Sequence, residues 1–269
     1  MDFSEFSLWQ VIVLAVVQGV TEFLPISSDG HLVLVAPLLF RRGGMPAEML
    51  DLTIALHMGT LVSIVVYYRR RVAALLMEDR PTLLLLIVGT IPAVVLVLCC
   101  KRLFGDAFED ALTNTLLAGC MLIVTGLALF AAQWGGGTKD YRQLGFGDAV
   151  LIGIAQATAI LPGLSRSGTT IAAGLGRGMS RDSAATFSFL LAIPALLGAG
   201  AYECMKLLRG GESLSAHPGH LAIGAVVSAL VGLVSLSFLE RVLKRGKLHW
   251  FGLYCVALGL IVIAWQFMR

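Results

Sequence analysis

Two polar motifs interrupt apolar sequence, and both contain residues suited to phosphate chemistry. The first, QGVTEFLPISSDGH, spans residues 18–31. Gln18 and Glu22 are four residues apart and share a helix face, where their oxygens could hold Mg²⁺ or Ca²⁺ with help from phosphate oxygens. Ser28 and His31 are spaced for nucleophilic attack with a general base, although a His/Glu pair could instead activate water. The sequence leaves these two mechanisms open.

The second motif, PGLSRSGTT, spans residues 162–170 and places hydroxyl groups around an arginine. Its glycines permit a tight turn and a close backbone approach. Arg166 presents a planar fork matched to phosphate oxygens, and a helix beginning near Ser167 would direct its N–H groups at an anion. The motif therefore predicts a phosphate cradle. The structural alternatives are an N-cap with Arg166 paired to a buried acid, and a simple helix cap at Ser28–Gly30.

The elements that must position these motifs are membrane helices. Of the 269 residues, 57% are hydrophobic and 14% charged, and the mean hydropathy is +0.85. Soluble domains carry about 25% charged residues, so this composition indicates a protein embedded in lipid. The net charge of +3 does not indicate nucleic acid binding. Segments that are long and apolar enough to span a bilayer are 52–68, 82–100, 113–134, 183–205, 218–240 and 248–267.

Two further apolar regions, 8–40 and 146–178, are each broken by one of the motifs. Irregular backbone at membrane depth occurs where it is buried in protein or lines a cavity, and paired broken segments point to a binding site. The intervals Gln18–Gly30 and Gln156–Gly168 are equally long, and both contain Leu-Pro followed by serines. These features predict an inverted repeat.

The predicted fold is an all-α polytopic membrane protein with one membrane domain. Each half is a re-entrant helix-break-helix hairpin followed by three transmembrane helices, and the odd number of spans inverts the second half. Segments 119–133 and 252–266, each the last span of its half, share matching glycines. The predicted repeats are residues 1–138 and 139–269.

Basic residues predict the orientation. If each broken segment enters and leaves on one face, loops 69–81, 135–147, 179–182 and 241–247 share a side. That side, with Arg177, holds twelve basic residues and the other holds seven, so the richer side is expected to be cytoplasmic. Both termini then lie outside. The seven on the other side are Arg41, Arg42, Lys101, Arg102, Lys206, Arg209 and Arg269.

Other polar residues are given structural interpretations. His57 and Thr60 lie in an apolar helix, where packing and hydrogen bonding are expected rather than catalysis. Asp148 is expected to cap the helix before the second break, and Arg177 is expected to be an anchor. The five cysteines show no metal-ligand spacing and are interpreted as buried free thiols. The acidic N-terminus does not resemble a cleavable signal peptide.

The motifs resemble those of the undecaprenyl-diphosphate phosphatase family, the bacitracin resistance proteins. The family pattern (Glu/Gln)-x-x-x-Glu is similar to Gln18–Glu22, and EFLP-x-SS-x-GH is similar to Glu22–His31. The pattern PG-x-SRSG-x-T is similar to Pro162–Thr170, and FSFLLAIP at 187–194 extends the match. One departure is Asp29, where the family often has threonine. An acid beside a diphosphate site would repel the substrate unless it is paired, faces away or helps to bind the cation.

The resemblance implies hydrolysis of undecaprenyl diphosphate to the monophosphate, which recycles the lipid carrier of cell-wall synthesis. It implies a divalent cation, Mg²⁺ or Ca²⁺, and a site open to the outer face of the bacterial cytoplasmic membrane. Bacitracin would compete for the lipid substrate, and a homodimer is left open. Catalytic roles would fall to Glu22, Ser28, His31 and Arg166; substrate binding to Gln18, Ser27, Ser165, Ser167, Gly168 and Thr170; and cation binding to Glu22 and Gln18.

A second hypothesis is a transporter or flippase for a polyprenyl phosphate or another anion, since inverted repeats with paired broken helices are common in transporters. A carrier needs no nucleophile and base, so the cluster of Glu22, Ser28 and His31 favours the phosphatase. A purely structural membrane subunit would leave Glu22 and Arg166 inside the membrane unexplained.

Overall fold

The protein is all-helical in a computed structural model that describes residues 7–40, 48–210 and 216–268. Within these ranges the chain forms twelve α-helices and no named strand. The helices are α1 (Leu8–Thr21), α2 (Ser28–Leu39), α3 (Glu48–Tyr67), α4 (Arg69–Met77), α5 (Arg80–Phe104), α6 (Asp106–Leu112), α7 (Thr115–Gln133), α8 (Phe146–Thr158), α9 (Arg166–Gly176), α10 (Arg181–Gly210), α11 (Pro218–Lys244) and α12 (His249–Phe267).

Helices α3, α5, α7, α10, α11 and α12 are long and apolar enough to cross a membrane. They confirm the six predicted spans. Helices α4 and α6 were not predicted, because they are short and occupy segments that the sequence indicates as connections. Helix α4 carries three consecutive arginines and buries Leu75. It is thus an amphipathic helix, which explains why a segment with the polar residues of a connection is helical.

The two broken regions are helical hairpins whose ends meet. In the first hairpin, Gln10 Nε2 at the start of α1 donates to the Leu39 carbonyl at the end of α2, at 3.1 Å. In the second, Arg177 Nε at the end of α9 donates to Asp148 Oδ1 at the start of α8, at 2.6 Å. The interval from Gln10 to Asp148 equals that from Leu39 to Arg177. The repeat correspondence therefore extends to the contacts that close each hairpin.

Asp148 also caps α8, as predicted, because its Oδ2 accepts the Gly145 N–H at 3.2 Å. Lys139 Nζ lies 2.5 Å from the same oxygen. Burial disfavours the ionised carboxylate, but hydrogen bonds from Lys139 and Arg177 outweigh it and lower the pKa of Asp148 to about 2. Arg177 is thus more than the predicted surface anchor, since it closes the hairpin.

The four basic loops lie together at one end of the helices, and Gly246 of the fourth loop is so close to Arg181 that a Cβ on it would lie 2.5 Å from Arg181 Nη1. Arg71 Nη2 is 3.5 Å from Asp182 Oδ2, and Arg142 Nε is 3.3 Å from Asp79 Oδ2. The backbone N–H of Lys139 donates to the Gly178 carbonyl at 3.1 Å. These contacts agree with the grouping used in the charge count. Three basic residues of the other group, Arg41, Arg42 and Arg269, lie outside the described residues.

Helices α7 and α12, the last spans of the two predicted repeats, pack closely through glycines. A Cβ at Gly126 would lie 2.7 Å from the Gly252 carbonyl oxygen, and one at Gly259 would lie 2.6 Å from the Gly119 carbonyl oxygen. In the sequence alignment of the halves, Gly119 matches Gly252 and Gly126 matches Gly259. Exchanging the halves converts one contact into the other, which is consistent with the predicted inverted repeat.

The cysteines are free thiols, but they are not all buried. Cys255 is buried, whereas Cys99, Cys120 and Cys204 are exposed on the helix surface. Their helices are candidate spans, so the thiols lie on faces suited to lipid rather than in the protein core.

Candidate active site

The tips of the two hairpins meet beside a cavity of about 520 Å³. The polar part of its lining comes mainly from both breaks and from α3, with Thr113 and Glu203 also present. The apolar part comes from the hairpins themselves and from the spanning helices around them. Polar lining residues include Glu22, Ser27, Ser28, Asp29, His57, Gln156, Ser165 and Arg166. A cavity with a polar end and an apolar remainder suits a lipid with a charged head group.

Glu22 lies at the centre of the polar end. It follows α1 directly and is 6% exposed. Its Oε2 accepts hydrogen bonds from Gln18 Nε2 at 3.0 Å and from Ser28 Oγ at 2.7 Å. Gln18 is one helical turn before Glu22, as the sequence predicted. Ser28 approaches because the chain breaks between α1 and α2 and turns back. A serine hydroxyl therefore donates directly to a buried carboxylate.

Arg166 belongs to the second hairpin and pairs with the first. Its Nη2 donates to Glu22 Oε1, while its Nη1 is buried and has no hydrogen-bond partner among the described residues. This geometry combines two readings of the sequence, a phosphate-binding arginine and an arginine paired to a buried acid. One nitrogen of the fork binds the carboxylate, and the other remains available for an anion.

His57 of α3 stands beside this pair. Its Nδ1 donates to the Thr53 carbonyl at 2.8 Å, which leaves Nε2 directed toward the carboxylates. Nε2 lies 3.7 Å from Glu22 Oε2 and 3.8 Å from Asp29 Oδ1. The sequence predicts a packing role for His57. The local hydrogen bond agrees with that role, but the position places the ring at the cavity wall.

Asp29 opens into the cavity, and its side chain is 55% exposed. It therefore does not face away from the site, which was one of three options that the sequence left open. The ionisable side chain that the structure places beside it is the His57 ring.

His31 is placed differently from the predicted Ser28/His31 pair. Its Nδ1 binds the Ser27 carbonyl at 2.7 Å, and its Nε2 binds the Tyr254 hydroxyl of α12 at 2.8 Å. The ring also stacks on the Tyr254 ring, with centroids 5.7 Å apart. Both ring nitrogens are thus held by protein groups other than Ser28. A catalytic role for His31 stays a prediction.

The two breaks use the same local devices. Ser27 and Ser165 are the N-caps of α2 and α9, and their hydroxyls accept from Gly30 N–H at 3.3 Å and Gly168 N–H at 3.1 Å. Ser27 adopts a φ of 71°, a strained conformation for a residue other than glycine. In this register, Ser28 of the first hairpin corresponds to Arg166 of the second. Both hairpins therefore have a serine N-cap, whereas the residue that follows the cap is a serine in the first hairpin and an arginine in the second.

Other predicted residues lie outside the cavity lining and form hydrogen bonds that hold the second break in place. Ser167 Oγ donates to the Leu24 carbonyl at 3.4 Å, and Thr170 Oγ1 lies 2.6 Å from Ser188 Oγ. Thr125 of α7 fixes the second break, because its Oγ1 donates to the Gly163 carbonyl at 2.8 Å and accepts from Ser165 N–H at 2.9 Å. The sequence gave no sign of Thr125. Predicted residues absent from the cavity lining are Gln18, His31, Ser167, Gly168 and Thr170.

Residues 11–261 match a family model described as bacitracin resistance protein BacA. The chain belongs to the BacA family. It is 47% identical over 257 residues to a Rhodopirellula baltica protein named undecaprenyl-diphosphatase, with 95% of this chain and 97% of the relative covered. Proteins of the same name from Halothermothrix orenii and Mycobacterium leprae are 36% and 38% identical, covering 95% and 97% of the BacA-family chain and 97% and 95% of the relatives.

The carboxylate of Glu22 and the amide oxygen of Gln18 fit a divalent cation that has few protein ligands. Gln18 Oε1 is buried and has no hydrogen-bond partner in the described part of the BacA-family chain, so an acceptor oxygen remains beside the carboxylate. No group of three or more His, Cys, Asp or Glu side chains within the described ranges could hold a metal by itself. Mg²⁺ is commonly held by one or two carboxylates, waters and substrate phosphates, which this donor set allows.

Two cavity residues of the BacA-family protein were not predicted, although the sequence contained a signal for each. His57 is an ionisable residue in a predicted membrane span, and such residues are functional by default. Gln156 occupies the same place in the second repeat as Gln18 in the first. The repeat correspondence therefore indicates Gln156 as a site residue once Gln18 is one.

Proposed function

We propose that this BacA-family protein hydrolyses undecaprenyl diphosphate to undecaprenyl phosphate and inorganic phosphate, and so recycles the lipid carrier of cell-wall synthesis. The curated relatives that the chain matches over nearly their whole length are named undecaprenyl-diphosphatase. The observation that supports the chemistry most directly is the contact of Ser28 Oγ with Glu22 Oε2 beside Arg166. A hydroxyl, a carboxylate that can act as a base and a guanidinium group thus meet in the lining of one cavity.

The reaction proposed for this geometry begins with attack of Ser28 Oγ on the terminal phosphorus. Glu22 accepts the hydroxyl proton through the hydrogen bond that already joins the two side chains. The bond from the terminal phosphorus to the bridging oxygen breaks, and undecaprenyl phosphate leaves with that oxygen. Water then attacks the phosphoserine: its oxygen bonds to the phosphorus, the bond from the phosphorus to Ser28 Oγ breaks, and Glu22 returns the proton to that oxygen. Inorganic phosphate leaves, the second proton of the water goes to the phosphate or to solvent, and the Ser28 hydroxyl and the Glu22 carboxylate are restored.

Arg166 stabilises the charge that develops during both steps. Its Nη1 donates to a phosphate oxygen while Nη2 stays on Glu22, so the arginine holds the substrate without releasing the base. The apolar walls exclude water and receive the first isoprene units of the lipid. They include Val33, Ile54, Val97 and Leu196.

A divalent cation, Mg²⁺ or Ca²⁺, is part of the proposal. Glu22 and the free Oε1 of Gln18 would hold it, together with substrate oxygens. When bound, such an ion neutralises phosphate charge and polarises the terminal phosphoryl group. The proposed location is the bacterial cytoplasmic membrane, with the four basic loops inside, both termini outside and the cavity open to the outer face. Bacitracin is proposed to compete for the same lipid.

The test is phosphate release from undecaprenyl diphosphate by the purified protein in detergent with Mg²⁺ or Ca²⁺. We expect turnover in the wild type and its loss in Glu22→Ala and Arg166→Ala, with folding checked by thermal unfolding. Substrate binding and transbilayer movement without any phosphate release would contradict the phosphatase and favour the carrier.

A further inference from the structure

Gln156 is a buried amide in the cavity wall whose polar atoms have no hydrogen-bond partner among the described residues. It lies in the last turn of α8 and is 5% exposed. Neither Oε1 nor Nε2 finds a hydrogen bond within residues 7–40, 48–210 and 216–268. Buried polar atoms are nearly always satisfied, and an unsatisfied one costs stability, so an amide lacking both bonds in the cavity wall requires an explanation.

The comparison with Gln18 explains why Gln156 has no partner. Gln18 donates to Glu22, four residues further along α1. Four residues after Gln156 stands Ile160, which offers no side-chain acceptor. The second repeat therefore keeps the amide and lacks the carboxylate that satisfies it in the first.

Three other buried atoms around the site have no hydrogen-bond partner among the described residues: Gln18 Oε1 on the first hairpin, Glu203 Oε2 on α10 and Arg166 Nη1 on the second hairpin, and only the arginine nitrogen is a donor. Arg166 Nη1 is a free donor and lies, like Gln156, on the second hairpin, among the residues of the cavity lining. The groups that act on the phosphorus, Glu22 and Ser28, lie on the first hairpin. The second hairpin thus presents donors, and the first presents the nucleophile and its base.

We propose that Gln156 is a further substrate-binding residue, whose Nε2 donates a hydrogen bond to an oxygen of the lipid diphosphate. The inference rests on the proposed phosphatase function. Phosphate oxygens are acceptors, which suits an amide N–H. A neutral glutamine can hold the anion without the desolvation cost of another buried charge. The substrate supplies the partner that Ile160 does not.

Gln156→Leu tests this directly, and Gln156→Met provides a second apolar variant of similar length. We expect kcat/KM for undecaprenyl diphosphate to fall about 10- to 100-fold, the effect of one hydrogen bond to a charged group. The melting temperature without substrate should stay level or rise, because an unsatisfied amide has been replaced by an apolar group. The control is Gln133→Leu at the end of α7, outside the cavity lining, with wild-type kcat/KM expected.

A second readout separates failure of this inference from failure of the phosphatase. Undecaprenyl diphosphate added without divalent cation should raise the melting temperature of the wild type and of Gln133→Leu more than that of Gln156→Leu or Gln156→Met. Equal protection in all four proteins, or unchanged kcat/KM in both Gln156 variants, overturns the role of Gln156. If the substrate raises the melting temperature of the wild type but no phosphate is released, only the proposed reaction is overturned. The difference in melting-temperature rise between the wild type and the Gln156 variants then still tests whether Gln156 binds the substrate.

Discussion

Arg166 of the second hairpin donates a hydrogen bond to the Glu22 carboxylate of the first, so an ion pair joins the two broken segments at the floor of the cavity. Both side chains are largely buried. Removing one partner of such a pair leaves an uncompensated charge, whereas removing both charges can be nearly neutral for stability. Stability and activity are therefore expected to respond differently to single and double replacements.

Arg166→Gln is expected to lower the free energy of unfolding by about 3 kcal/mol, because Glu22 is left charged and buried. The double variant Glu22→Gln/Arg166→Gln should recover most of that loss and none of the phosphatase activity. Thermal unfolding in detergent and phosphate release measure the two effects. The exposed pair of Lys244 with Glu240 supplies the control, since Lys244→Gln should change stability by less than about 1 kcal/mol. A double variant as unstable as the single one would contradict the pairing.

Ser28→Ala is expected to reduce kcat about a thousandfold or more, because the hydroxyl on Glu22 is the proposed nucleophile. Mass spectrometry of acid-quenched turnover mixtures should detect a phosphate on Ser28 in the wild type. Ser237→Ala, which removes a hydroxyl bonded within α11, should keep wild-type kcat. Full activity of Ser28→Ala would exclude the covalent route and assign the attack to an activated water.

Asp29→Thr is expected to raise the cation concentration needed for half-maximal activity several-fold. Asp29 exposes its carboxylate to the cavity near His57, and the same ring nitrogen of His57 lies 3.7 Å from Oε2 of Glu22, the proposed cation ligand. Loss of the Asp29 carboxylate removes one negative charge that attracts the ion. Phosphate release over a Mg²⁺ titration measures the shift, with Asp182→Thr in the basic loops as a control. An unchanged titration would show that Asp29 takes no part in cation binding.

Acid should weaken the closure of the second hairpin. Because the pKa of Asp148 is lowered to about 2, its ionic contacts stabilise the folded protein fully above the unfolded pKa near 3.8 and are lost as the pH falls toward 2. The contribution is on the order of 2 kcal/mol at neutral pH. Melting temperatures at pH 7 and pH 3 should differ more for the wild type than for Asp148→Asn. An equal change in melting temperature between pH 7 and pH 3 in the two proteins would contradict the stabilising role of the Asp148 carboxylate.

Gly163→Ala should disrupt the second break. Gly163 has a φ of +89°, and a Cβ there would lie 2.1 Å from the Ala118 carbonyl oxygen, so both conformation and space exclude a side chain. We expect a loss of about 2 kcal/mol or more of stability, together with reduced turnover. Gly176→Ala is the matched control, because the space around that position is open. Equal melting temperatures would show that the break tolerates rearrangement.

The sequence by itself determined the membrane-spanning helices, the two breaks and the types of polar residue that the breaks contain. Long apolar segments must become helices in lipid, so the six spans followed from length and hydropathy alone. Proline, glycine and serine at fixed intervals located the two breaks. The equal intervals from Gln18 to Gly30 and from Gln156 to Gly168 located the repeat. These are local properties, and the structure reproduces them at the caps Ser27 and Ser165.

Only the tertiary structure decided which polar groups meet. His31 was expected at Ser28, but Tyr254 from the last helix takes its Nε2. His57 comes from a separate span, and Arg166 crosses from the opposite hairpin to reach Glu22. The direction of each side chain depends on how distant helices pack, through contacts such as the glycine surfaces of α7 and α12. Sequence spacing constrains neighbours along one helix, whereas the site is assembled from four segments that are far apart in the chain.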